Sequence, residues 1–204
     1  MRILMLGNSF TFYNDMPSML AELTGAEVVH HTRGGARLAE QLNPETQMGA
    51  KTLEALEKEA WDYVVLQEMS NGPITSRESF LNSVASLCEK IRAAGATPIL
   101  YATWAYRKDC DKLEEMGLEY DVMAAQLSEA YHEAAGQNEA LVAEVGKRFY
   151  EQAGKTELYA EDGKHPNEVG SRLAAETIAA VIAADQEKKK TAAVRLEISE
   201  KVGD

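Results

Sequence analysis

The chain has few of the residues that cross-link a small protein or hold a metal ion. Its 204 residues include two cysteines, Cys88 and Cys110, and four histidines. Two cysteines cannot build a disulfide framework, and these two lack the spacing of zinc ligands. The predicted protein is therefore held together by an ordinary hydrophobic core, for which 204 residues suffice, and we expect no metal site.

Positive charge and long apolar runs are also scarce. Lysine and arginine number 21 against 33 acidic residues, which gives a net charge of −12 and a pI near 4.9. Nucleic acids and anionic membrane surfaces are polyanions, so this charge disfavours both as partners. No apolar run approaches the length of a membrane span, and no signal peptide precedes the first predicted strand. The expected location is cytoplasmic.

Predicted strands and predicted helices alternate along the chain. Five short apolar runs, rich in β-branched residues, predict buried strands, and segments with helical spacing separate them. This alternation predicts parallel strand pairing with right-handed helical crossovers. We therefore predict a three-layer α/β/α fold around a five-stranded parallel sheet. The predicted strands cover residues 1–6, 27–31, 63–67, 97–101 and 140–143.

No interior linker or internal repeat divides the chain. We predict one domain over residues 1–185. Residues 186–204 are charged and lack a clear period, and we interpret them as a tail or as an arm of a homo-oligomer, both of which stay open.

A serine stands at the end of the first predicted strand. In Gly7–Thr11 the sequence reads G-N-S-F-T, and an amphipathic segment follows. A serine on a sharp strand-to-helix turn exposes its hydroxyl, as in a nucleophile elbow. Ligands of open α/β sheets also bind at this edge of the sheet. Ser9 is thus a candidate nucleophile, although a plain turn or helix cap has the same local sequence.

A second cluster of functional side chains precedes the last predicted helix. Asp162 and His165 stand three residues apart, and Pro166 fixes the helix start. Asp162 can turn back to one imidazole nitrogen of His165, which leaves the other nitrogen to accept a serine proton. These are the roles of a Ser-His-Asp triad.

Donors for a developing negative charge are expected at the backbone N–H of Ser9 itself and at two other strand ends. Gly35 follows the second strand, where a glycine N–H can approach a reacting atom closely. Gln67 ends the third strand and is our first choice for a side-chain donor, with Asn71 as the alternative. In a doubly wound sheet these strand ends converge on the edge where Ser9 stands.

The long connection after the fourth strand carries three further candidates. Trp104 and Tyr106 have the character of residues that wall a sugar or acyl group, and Arg107 that of a carboxylate partner. Packing in the core or in a lid explains the two aromatic residues equally well.

Taken together, these motifs resemble the SGNH (GDSL-like) hydrolase family along almost the whole chain. The resemblance assigns the nucleophile to Ser9, an oxyanion glycine to Gly35, and the D-x-x-H block to Asp162 and His165. It implies a flavodoxin-like fold and an esterase that needs no cofactor. The sequence departs from the family at Asn8, where aspartate is usual, and in the third block, which reads L-Q-E-M-S-N instead of G-x-N-D. Glutamine and glutamate in that block occur in carbohydrate acetylesterases, so an acetyl ester of a small or carbohydrate-like molecule is the expected substrate.

Two other functions fit parts of the same sequence. Ser9 and Thr11 at a first-strand turn also suit a phosphate group, as in a flavodoxin-like flavin-binding protein. A catalytically silent binding protein of the same fold is the other alternative, because a fold does not determine a function.

Overall fold

Five apolar segments form one parallel sheet. The computed structural model describes the backbone of residues 1–202 and the side chains of residues 1–195. The strands are β1 (Arg2–Gly7), β2 (Glu27–Thr32), β3 (Tyr63–Leu66), β4 (Thr97–Tyr101) and β5 (Leu141–Ala143). Each lies within a residue or so of a predicted strand, so the predicted fold class is confirmed.

The strand order explains where a site can form. The order is β2-β1-β3-β4-β5, with every pairing parallel. The chain runs from β1 to β2 on one side and then crosses back past β1 to β3 on the other side, so the order reverses between β1 and β3. A crevice opens at such a reversal, outside the carboxyl ends of the strands.

Helices cover both faces of the sheet. They are α1 (Ser9–Phe12), α2 (Met16–Thr24), α3 (Leu38–Gln41), α4 (Gln47–Lys58), α5 (Gly72–Thr75), α6 (Arg77–Ala93), α7 (Asp111–Glu115), α8 (Tyr120–Asn138), α9 (Val145–Gln152) and α10 (Glu168–Val202). A 3₁₀ turn over Tyr13–Asp15 joins α1 to α2. The longer helices match the predicted helical segments, whereas the short helices α1, α3, α5 and α7 were not predicted.

Alternate residues of each strand point into two separate cores. Ile3 and Met5 of β1 pack with α2, α9 and α10, while Leu4 and Leu6 pack with α4 and α6. All four side chains are fully buried. Because both faces are covered, the strands read as continuous apolar runs instead of alternating ones.

The last helix crosses the predicted end of the domain. α10 continues from Glu168 through Val202, so the helical backbone extends past residue 185 into the charged segment. An oligomer arm there stays a prediction, and residues 203–204 of the segment lie outside the described part of the chain. Among the helices of residues 1–202, none is both long enough and apolar enough to cross a bilayer.

Candidate active site

Ser9 lies where the sequence predicts it, at the turn that leaves β1. Asn8 caps α1 and its side chain accepts a hydrogen bond from the N–H of Phe10. Gly7 is required just before the turn, because a Cβ there would lie 2.7 Å from Oε1 of Gln67. Ser9 therefore stands on a tightly packed turn, at the first position of a helix.

The serine hydroxyl contacts the predicted histidine. Oγ of Ser9 lies 2.9 Å from Nε2 of His165, although 156 positions separate the two residues. Nδ1 of the same ring lies 2.5 Å from Oδ2 of Asp162. The three side chains thus form a hydrogen-bonded chain in the order of a nucleophile, a base and a residue that orients the base.

Asp162 is held as a carboxylate. Its Oδ1 accepts the N–H groups of Lys164 and His165, at 3.0 and 2.9 Å. Partial burial opposes ionisation, but the hydrogen bonds from His165 and from these two N–H groups outweigh it and lower the pKa of Asp162 to about 2. Asp162 is therefore negatively charged at neutral pH and favours a proton on Nδ1 of His165.

Two aromatic rings hold the imidazole in place. The ring of Tyr13 stacks on that of His165 with centroids 4.3 Å apart, and the ring of Phe10 meets it edge-on at 5.5 Å. Tyr13 lies on the 3₁₀ turn, where Asn14 and Asp15 both have positive φ. Asn14 secures this turn by donating to the carbonyl of Pro166 at 3.0 Å. Tyr13 carries no signal of this role in the sequence, because only this left-handed turn brings it to His165.

The loop after β2 lies beside the serine turn. Nδ2 of Asn8 donates to the carbonyl oxygen of Ala36 at 3.1 Å, which ties the two turns together. An aspartate side chain at position 8 would have no N–H group to make this bond. Gly35 has φ of +68° and lines the same cleft as Ser9. Among the described residues, the N–H groups of Ser9 and Gly35 have no acceptor, so both are available to a ligand.

Gln67 does not face the cleft, and we correct its assignment as a donor to substrate. Its side chain is fully buried. Its Oε1 accepts the N–H of Asn8 at 2.9 Å and the hydroxyl of Thr11 at 3.0 Å, while Nε2 donates to the carbonyl of Glu68. Gln67 therefore supports the serine turn from beneath.

Glu68 joins the second and third loops of the site. The residue is 3% exposed, and its two side-chain oxygens accept the N–H groups of Leu38 and Met69, at 3.2 and 2.7 Å. Burial raises its pKa, against these two backbone hydrogen bonds. Leu38 begins α3, just after the loop of Gly35, so Glu68 fixes that loop relative to the loop after β3.

Asn71 lies in the cleft that Gln67 does not reach. It lines the same cleft as Ser9, and its Nδ2 is 3.5 Å from the sulfur of Met116. Its Oδ1 is buried and has no hydrogen-bond partner among the described residues. Turning this amide toward a ligand therefore breaks no strong hydrogen bond, and the alternative choice is the better placed of the two.

The three candidate residues that follow β4 lie in three different places. Tyr106 lines the cleft, with its hydroxyl 2.7 Å from Oγ of Ser70. Trp104 is buried between the rings of Phe10 and Phe149. Arg107 pairs with Asp109 at 2.5 Å and lines a different cavity. For Trp104 the structure favours the packing alternative, and we correct the assignment of Arg107, which serves loop structure.

The cleft itself is small, with a volume of about 380 Å³. Two of its lining residues, Lys112 and Lys164, are cationic, and the sequence analysis did not single out either one. In the described part of the chain, no group of three or more His, Cys, Asp or Glu side chains is arranged to hold a metal ion. The lining residues are Asn8, Ser9, Phe10, Gly35, Met69, Ser70, Asn71, Tyr106, Lys112, Lys164 and His165.

Comparison with known proteins gives matches among solved structures only. No family model matches the chain, and no curated protein matches it. A structure of a protein from Slackia heliotrinireducens, assigned to the SGNH hydrolases, is 55% identical with a TM-score of 0.86. The match covers 89% of this chain and 98% of that one.

More distant structures share the fold. A DUF4886 family protein from Bacteroides uniformis is 19% identical with a TM-score of 0.70, over 89% of this chain and 82% of that one. A catalytic mutant of an acetylxylan esterase from Geobacillus stearothermophilus is 13% identical with a TM-score of 0.65, over 89% and 93%. At these identities the likeness concerns the fold alone.

Proposed function

The chain belongs to the SGNH hydrolase family, and from that premise we propose that it is a serine esterase that uses Ser9, His165 and Asp162. The observation that carries the proposal is the hydrogen-bonded chain from Oγ of Ser9 to Oδ2 of Asp162, at 2.9 and 2.5 Å. Family membership argues against the flavin-binding alternative.

The proposed reaction proceeds through an acyl-enzyme. Oγ of Ser9 attacks the ester carbonyl carbon while Nε2 of His165 accepts the hydroxyl proton. The tetrahedral intermediate expels the alcohol, which receives that proton from His165. A water molecule then attacks the acyl-serine, again with His165 as base, and releases the carboxylic acid. Asp162 stabilises the imidazolium formed in each half of the reaction.

The negative charge that develops on the carbonyl oxygen in the transition state needs hydrogen-bond donors. The N–H groups of Ser9 and Gly35 line the cleft and have no internal acceptor among the described residues. Asn71 supplies a third donor by rotation of its amide. Such preorganised donors commonly make the largest single contribution to acyl-transfer catalysis.

The proposed substrate carries a short acyl group, acetyl in the first instance. A cleft of about 380 Å³ leaves little room for a long chain beside the alcohol. Structures with the same fold include acetylxylan esterases, which makes a carbohydrate-like alcohol a reasonable first probe.

The test is covalent labelling together with turnover. A fluorophosphonate should label Ser9, and Ser9→Ala should abolish both labelling and hydrolysis of p-nitrophenyl acetate. Ser70→Ala is the matched control, because Ser70 lines the same cleft but does not contact His165, and it should keep labelling. Labelling at Ser70, or activity that survives in Ser9→Ala, would overturn the assignment. An active-site serine that never labels, in a folded protein without turnover, would favour the silent binding protein.

A further inference from the structure

The charge of the Ser9 cleft is opposite to the charge of the protein. The chain carries 33 acidic and 21 basic residues, yet both charged residues that line the cleft, apart from His165, are lysines. Asp162 is ionised, but it is hydrogen-bonded to the far nitrogen of His165 and does not line the cleft. Glu68 is buried beneath the cleft and does not line it.

Lys164 is the better placed of the two lysines. Its carbonyl accepts the indole N–H of Trp104 at 3.0 Å, and its N–H donates to Asp162 at 3.0 Å. The backbone is thus fixed on both sides, directly before His165. Its side chain is half-buried, and in the described part of the chain its ammonium group has no carboxylate within ion-pair distance.

Lys112 adds a second positive charge that is partly compensated. Its ammonium group lies 2.9 Å from Glu115, one turn along α7. The hydrogen bond and charge of Lys112 lower the pKa of Glu115, and the charge of Lys164 contributes in the same direction. Glu115 is thus the ion-pair partner of Lys112, and Asp162 is the partner of His165, which leaves the ammonium group of Lys164 without a carboxylate partner among the described residues.

The strand order indicates on which side of Ser9 the lysines lie. Gly35 follows β2 and Lys112 follows β4, so the two lie on opposite sides of the turn after β1 that carries Ser9. Lys164 neighbours His165, the residue that protonates the leaving alcohol in the proposed reaction. The ammonium group of Lys164 is thus expected on the side of the leaving alcohol, next to His165.

From these positions we propose that the cleft selects esters whose alcohol part carries a carboxylate, bound by Lys164 with support from Lys112. The inference rests on the proposed esterase function and names its substrate class. A protein with a net charge of −12 repels an anionic ester at long range, and only a local positive potential at the site reverses that effect.

The test compares three acetate esters that differ in charge: 3-acetoxybenzoate, 3-acetoxybenzamide and (3-acetoxyphenyl)trimethylammonium. Each is measured with the wild type, Lys164→Gln, Lys112→Gln and Lys90→Gln. Comparing variants on the same ester removes differences in intrinsic reactivity. Lys90 is the matched control, because it is exposed near the end of α6, where the chain approaches the amino end of β4.

We expect Lys164→Gln to lower kcat/KM for the benzoate about two- to fivefold, the range for a partly exposed ion pair. The benzamide should change little, Lys112→Gln should act more weakly, and Lys90→Gln should have no effect. Lys164→Glu should favour the cationic ester. Added salt should shrink the wild-type preference for the benzoate, because it screens exposed charges.

Three results would overturn the inference. If Lys164→Gln lowered kcat/KM equally for all three esters, Lys164 would act on the structure and not on charge selection. If the wild type hydrolysed the benzamide through Ser9 and the lysine variants left the benzoate unchanged, the inference alone would fail. If no ester were hydrolysed and Ser9 were not labelled, the inference would fail together with the proposed function.

Discussion

The phenol ring of Tyr13 lies parallel to the imidazole of His165, with an interplanar angle of 15° and centroids 4.3 Å apart. Tyr13 is 37% exposed, so one face of the pair is open to solvent and the other supports the proposed base. Ser171 donates from its hydroxyl to the carbonyl of Tyr13 at 3.3 Å, which anchors this turn to the helix that follows His165. The stack therefore limits how far the imidazole can turn away from Ser9.

Replacing Tyr13 should weaken the positioning of His165, the proposed base, without removing the base itself. An aromatic pair contributes about 0.5–1.5 kcal/mol beyond its buried area, so Tyr13→Ala should lower kcat about two- to tenfold. Tyr13→Phe keeps the stacked ring, so this variant should have the kcat of the wild type and the same pH profile of kcat/KM. The measurement is steady-state hydrolysis of p-nitrophenyl acetate from pH 5 to 9. Equal losses in the two variants would assign the effect to the hydroxyl and contradict the stacking role.

Asn71→Ala should weaken transition-state stabilisation and leave substrate binding nearly intact. One oxyanion donor is typically worth about 10²–10³-fold in kcat. We expect a fall of that size with little change in KM, and slower labelling by a fluorophosphonate. Ser70→Ala is the control, since Ser70 is next in sequence and lines the same cleft. An unchanged kcat in Asn71→Ala would leave the N–H groups of Ser9 and Gly35 as the complete oxyanion hole.

Gln67→Ala should act first on stability. The change removes the acceptor of two buried donors, the N–H of Asn8 and the hydroxyl of Thr11, and it leaves a cavity. We expect the free energy of unfolding to fall by about 2–4 kcal/mol, measured by urea denaturation. Thr11→Val removes one of the two donors and should cost about 1 kcal/mol. A variant with wild-type stability and a greatly reduced kcat would restore Gln67 as a direct donor.

The ionisation of Asp162 should make the stability of the fold depend on pH. Its pKa is lowered to about 2 from about 3.9 in an unfolded chain. The group therefore stabilises the fold above pH 4, and that contribution is lost as the pH falls from about 4 to about 2. Asp162→Asn should be less stable than the wild type at pH 6, and the difference should vanish near pH 2.

The same variant also tests the proposed mechanism. Asp162→Asn should lower kcat by about 10³–10⁴-fold at pH 7, because the imidazole loses its preferred tautomer and its counter-charge. Glu161→Gln is the control, since Glu161 is the exposed neighbour and should keep both the wild-type activity and the wild-type pH dependence of stability. A pH-independent stability difference between Asp162→Asn and the wild type would contradict the lowered pKa.

The predicted strands are confirmed, and Asp162 and His165 contact each other as expected, because both signals are local. Four to six apolar residues suffice to indicate a buried strand, and three positions suffice to join Asp162 to His165. The failed predictions concern side-chain direction. Gln67 follows a strand, where alternation no longer fixes the side on which a side chain lies, and it turns inward. Trp104 is buried because Phe10 and Phe149 close over it from distant parts of the chain.

The sequence by itself determined the parallel sheet, the edge that carries the site, and the identities of the candidate nucleophile, base and acid. Hydrophobic periodicity and turn chemistry act over a few residues, so each of these can be inferred from a short window. Only the tertiary structure decided which amide reaches the cleft, that Tyr13 covers His165, and that Lys112 and Lys164 share the cleft with Ser9. These relationships join residues about 60 to 155 positions apart, and their distances are set by how α1, α7 and the loop before α10 pack at one edge of the sheet.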